Sequence, residues 1–265
     1  MIWHVTGYRT VNVKIPSGVI SIPKKDANRL EYLFRELIVY NSAGYTLLGN
    51  KPVSFESFSK PHFEWDLMSL WHTFSPSNLK KYYAWKTWQK YEQLFNTGDI
   101  LIWSESSPWI KHGELIVMAS KKNLEYVLQA NREDFASLQN LVLKDLFHAS
   151  LWSHEGLLGI LLGYGRTNAW LFYEHKQPLK PVFSDELTQL FSSKKAVLNF
   201  TFGWPHAEMQ EVLMFPNFMA DLNAEETKRL KSDYLQTREK ILNYYSGKNF
   251  LEATLQLLLT DTCYQ

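Results

Sequence analysis

Apolar residues recur along this chain with two periods, and the switches between them predict its elements. Over residues 5–22, Val11, Val13, Ile15, Val19, Ile20 and Ile22 alternate loosely around Pro16-Ser17-Gly18, which predicts a β-hairpin. The period then lengthens: Leu30, Leu33, Phe34, Leu37 and Asn41 are spaced by three and four, as one face of a helix requires. Asp26 is its expected N-cap and Gly44 its expected stop. Tyr45 to Phe58 reads as extended, with a turn at Gly49-Asn50.

Ser77 is expected to cap a helix reaching about Phe95, closed by Thr97-Gly98 and burying Ala84, Trp88, Tyr91 and Phe95 on one side. Two strands follow, Asp99–Ser104 and Glu114–Ala119, and then helices at about 121–131 and 134–148. The second is expected to carry Phe135, Leu138, Val142 and Leu146 on one stripe. Ser153 is read as capping one glycine-containing helix to about Tyr173, before Gln177-Pro178-Leu179-Lys180-Pro181 interrupts regular structure. A short helix near 185–193 and a strand over Ala196–Phe202 come next. Asn223 with Glu226 forms a capping-box-like start to a helix over Ala224–Tyr245, and Gly247 separates it from a last helix carrying Phe250, Leu251, Leu255 and Leu258. Helices mixed with short strands, without regular βαβ alternation, predict an α+β fold. We read residues 1–265 as one domain, with a crossover or sub-boundary near 177–184.

Composition narrows the functional classes. Lys and Arg total 28 against 27 Asp and Glu, so the net charge of +1 gives no long-range field to gather a nucleic acid, though a local patch remains open. With 45% hydrophobic residues, 12 Gly and 10 Pro, the chain is neither disordered nor collagen-like. Cys263 stands alone and forms no internal disulfide, which suits a reducing compartment. The most apolar run, Gly156 to Gly163, is far shorter than the ~20 residues a membrane-spanning helix needs, and the amino terminus lacks a basic segment leading into an apolar one. A cytoplasmic protein is expected, or one exported without a cleaved leader.

No Walker A loop, G-x-G-x-x-G, G-x-S-x-G or H-E-x-x-H occurs, and no zinc or EF-hand pattern. No cofactor or metal is therefore expected. His206-Ala207-Glu208 and Glu174-His175 lack zinc-ligand spacing, and His62, Glu64 and Asp66 around Trp65 read as a solvated loop beside an anchored Trp. The best catalytic candidates are His154 as general base, Glu155 orienting it, and Arg166 clamping an anion. Gly156, Gly159 and Gly163 carry the plainer reading, because each lowers helix propensity by about 1 kcal/mol and close packing of a neighbour would offset that.

Aromatic residues make up 15% of the chain, with 10 Trp. Lys80, Lys81, Lys86 and Lys90 interleave with Tyr82, Tyr83, Trp85, Trp88 and Tyr91, a pattern that suits single-stranded nucleic acid and equally an ordinary solvated helix face. We expect the second, and no nucleic-acid partner. The expected function is a soluble, non-catalytic interaction protein using an aromatic-rich surface on a protein partner. The alternatives are a hydrolase or transferase acting around residues 148–168, and an envelope-associated component. Nothing in the sequence sets the oligomeric state. The segments FRELIVYNSAGYTLLGNKPVSF, HEGLLGILLGYGRTNAWLFY and MFPNFMADLNAEETKRLKSDY resemble a group of uncharacterised proteins from chlamydia-like and other intracellular bacteria. That resemblance implies a bacterial, host-associated origin and carries no activity, cofactor or catalytic residue.

Overall fold

The computed structural model describes residues 10–15, 18–61, 74–95, 98–110, 112–138, 140–175, 178–192 and 209–259. The fold is α+β. Strands β1 (Thr10–Ile15) and β2 (Gly18–Pro23) form the expected antiparallel hairpin, and α1 (Lys24–Ile38) follows directly. Asp26 does not cap α1: the helix starts two residues earlier, and the Asp26 carboxylate accepts hydrogen bonds from Lys90 Nζ and Tyr91 OH, both at 2.8 Å. Gly44 does not stop it either, since it lies inside a second helix, α2 (Ala43–Leu48), with Ile241 and Ile38 pressed against its Cα. The extended segment therefore begins only at β3 (Val53–Ser59).

Helix α3 (Pro76–Tyr91) is capped by Ser75, not Ser77; its hydroxyl accepts from Asn78 N. Ala84, Trp88, Tyr91 and Phe95 are all buried, as the spacing predicts. Three of the four interleaved lysines have partners within the protein, and Lys80 is exposed. Lys81 pairs with Glu56 and Glu36, Lys90 with Asp26, and Lys86 with Gln89, while Trp85 and Trp88 are core.

Strands β4 (Ile100–Ser106) and β5 (Gly113–Ser120) join β3 in an antiparallel sheet of order β3-β5-β4. Side chains alternate across a strand, so β5 buries two faces. Ile116 and Met118 enter a core with α1, α3, α10 (Glu225–Tyr245) and α11 (Phe250–Leu259). Leu115, Val117 and Ala119 enter a second core, built with α4 (Lys121–Ala130), α5 (Leu143–Ser153), α6 (Glu155–Leu161) and α7 (Arg166–Tyr173). An antiparallel sheet covered on both sides explains why β5 reads as an unbroken apolar run.

The helix expected over 134–148 is displaced. Residues 131–138 form turns and a 3-10 segment, α5 begins at Leu143, and Val142 is exposed although Phe135 and Leu146 are core. The single helix expected from Ser153 to Tyr173 is two helices, with a break at 162–165 where Gly163 and Gly165 take positive φ. Beyond them lie β6 (Lys180–Pro181), α8 (Ser184–Ser192), α9 (Met209–Val212) and β7 (Met219–Ala220), with β6 pairing β7. Asn223 and Glu226 do not form a capping box. The N-cap of α10 is Ala224, and Glu226 reaches α7 instead. The Pro16-Ser17 turn, the strand over 196–202, the His62–Asp66 group, the 206–208 cluster and Cys263 lie outside the described residues.

Candidate functional site

Helix α6 lies under α7, and its glycines make that approach feasible. A Cβ on Gly159 would lie 2.8 Å from Ala169 Cβ, and one on Gly156 would lie 2.9 Å from the Trp170 ring. The glycine face thus meets a neighbouring helix, in keeping with the packing reading. The chain reverses through Gly165 (φ 87°), where the Glu226 carboxylate from α10 sits against its Cα and accepts the N–H groups of Arg166 at 2.9 Å and Thr167 at 3.0 Å. Those are orphan donors of the α7 amino end, so a carboxylate sixty residues away in sequence caps this helix. Buried Asn168 adds bonds to Tyr164 O and Thr227.

This hairpin of helices separates two cavities. The first is an apolar cleft of about 320 Å³, whose walls include Phe55, Trp109, Leu158, Tyr164, Phe172 and Met219. Trp109 is held at its mouth by the β4–β5 loop. Ser107 Oγ accepts the Trp109 and Ile110 N–H groups, and Ser107 N donates to Gly113 O. Trp109 also stacks on Phe55 with ring centroids 5.8 Å apart. Trp109 is 55% exposed, Phe172 44% and Met219 37%, so three large apolar side chains stand open to solvent around one concavity.

The candidate catalytic residues are not gathered there. His154 and Glu155 are exposed at the α6 amino end, and Glu155 lines the apolar cleft. Arg166 lines the second cavity, on the far side of α6, where Asp134 binds it with two hydrogen bonds at 2.5 and 3.0 Å. These bonds hold the Arg166 guanidinium above its ordinary pKa. An anion clamp would first have to displace Asp134. His148 is engaged by Glu105 at 2.9 Å. Among the described residues, no group of three or more His, Cys, Asp or Glu is placed to hold a metal ion.

One group escaped the sequence reading. Lys51, at the head of β3, is 1% exposed, and its Nζ donates to the Leu162 carbonyl while lying 5.0 Å from the centre of the Tyr164 ring. Burial lowers its pKa to about 7, and burial likewise pushes Tyr164 up to about 12. The ammonium thus sits behind two residues of the cleft wall and fastens the α6–α7 turn, which Tyr234 OH also binds through Gly163 O at 2.7 Å. Its sequence neighbours Asn50 and Pro52 suggest a surface turn, so no local signal could have revealed it.

Fold and cavity together define an α+β protein with an aromatic-walled cleft beside a buried lysine. The chain matches no known protein family, no curated protein and no solved structure. Among the described residues, no helix is long and apolar enough to cross a membrane.

Proposed function

We propose that this protein binds a protein partner by receiving a bulky apolar side chain in the cleft between Trp109 and Phe172. The observation that carries this reading is the ring of exposed Trp109, Phe172 and Met219 around a concave apolar space of about 320 Å³. Aromatic and Met residues around a desolvated pocket are the composition of interface anchors. Glu155 is the one charged side chain lining the cleft among the described residues, so the seated residue would be flanked by Lys or Arg. We prefer this reading to a site built from His154, Glu155 and Arg166, because Glu155 and Arg166 open onto different cavities.

Selection of a displayed peptide library on the purified protein tests this. Enriched peptides are expected to share a large apolar residue next to a basic one. Trp109→Ala and Phe172→Ala should each weaken them at least tenfold, about 1.4 kcal/mol, in the range of interface anchors. Selection that yields no saturable binder, or binders indifferent to both substitutions, would overturn the reading.

A further inference from the structure

On the other side of α6 runs a polar trough between α4 and α10. Two adjoining cavities, of about 550 and 770 Å³, share Asn50, Lys122 and Asn123 in their walls. Most of its carboxylates are already committed. Glu226 caps α7, and Asp99 accepts the Lys122 N–H and the Ser120 hydroxyl at the start of α4. Arg166 is likewise committed to Asp134. Lys122, on α4, and Arg229 and Lys240, on α10, are exposed cations with no ion-pair partner among the described residues. Asp233 remains as the unengaged acid between the last two.

We propose that this trough docks an extended acidic segment of a protein partner. Arg229 and Lys240 are eleven residues apart on one helix, roughly 16 Å at the helical rise of 1.5 Å per residue. A single phosphate cluster does not bridge that span. An extended peptide rises about 3.3 Å per residue, so two acids about five residues apart reach both cations. Asp233 decides against a phosphodiester strand. It lies four residues from Arg229, about 6 Å along the axis, where a uniform polyanion would meet a like charge and a peptide can place a lysine or an amide. The neutral net charge of +1 also offers no wider basic surface for nucleic acid. Pairs between exposed charges are screened by water and salt, so the trough sets register and approach, with modest affinity of its own. This inference does not rest on the aromatic cleft.

The test is an amide-shift NMR titration of the full chain at low salt with the hexapeptide EGKSGE, its rearrangement EEGGSK, the lysine-free EGSSGE and an eight-nucleotide oligothymidylate. Saturable shifts at Lys122, Arg229 and Lys240 are expected, with EGKSGE tightest and each of Arg229→Ala and Lys240→Ala weakening it at least threefold. Asp233→Asn should abolish the preference for EGKSGE over EGSSGE and strengthen oligothymidylate binding. Phe172→Ala should leave these affinities unchanged, which separates this proposal from the cleft. Equal binding of EGKSGE and EEGGSK, no saturation by EGKSGE, or tighter binding of the oligonucleotide to the unaltered protein would each overturn it.

Discussion

Burying Lys51 costs the fold stability. A buried ammonium loses its hydration, and here it recovers one carbonyl and one aromatic face, with no carboxylate partner among the described residues. Its folded pKa of about 7 lies below the ordinary lysine value of 10.5, so between those limits the unfolded chain binds more protons than the folded one. Stability should therefore rise with pH across that window, by up to about 1.4 kcal/mol per pH unit from this group, and be flat below pH 7. Urea midpoints from pH 7 to about 9.5, below the range where the buried tyrosines ionise, measure this. Lys51→Met should remove the slope and raise stability at pH 7 by about 1–4 kcal/mol. An unchanged slope would show that the folded lysine titrates normally. Lys81 is the opposite case, with two partners, Glu56 and Glu36. Burial alone would lower its pKa, and the two carboxylates reverse that and raise it. Lys81→Met leaves both acids behind and should cost about 3–5 kcal/mol by thermal or denaturant unfolding.

Among the elements, those whose boundaries depend on local periodicity were legible, and those fixed by remote contacts were not. The α1 stripe of Leu30, Leu33, Phe34 and Leu37 is buried as the spacing predicts, and the run Leu115–Ala119 is a strand because both faces are covered. The break between α6 and α7 is not settled by local sequence, since Gly163 reads as a weak helix position, Gly165-Arg166-Thr167-Asn168 reads as a bend, and the carboxylate that ends the ambiguity is on α10. The candidate site is dispersed for the same reason: on one continuous helix residues 155 and 166 would lie on the same face about 16 Å apart, whereas the turn sends Glu155 and Arg166 to different cavities. Glu226→Ala tests this account. Losing the bonds to the Arg166 and Thr167 N–H groups should destabilise the protein by about 1–2 kcal/mol, with faster amide exchange confined to the first turn of α7. Full retention of both would mean that water caps the helix as well as the carboxylate does.

At the scale of the molecule, the two cores meet in one central strand, and that makes their stabilities inseparable. Val117 faces the core under α5 and α6, while Ile116 and Met118, its two chain neighbours, face the core under α1 and α3. Neither helical layer can leave without exposing one side of β5, and loss of the β3 and β4 ladders would expose both. The described elements packed on β5 should then unfold as one cooperative unit. Val117→Ala removes two methyl groups from the α5–α6 side alone and should cost about 1–3 kcal/mol. If the cores are coupled, amide exchange in α3, whose buried residues belong to the other core, accelerates by the same factor as exchange in α5. A change confined to α5 and α6 would show that the layers open independently, and that the sheet is a boundary between two units instead of a shared floor.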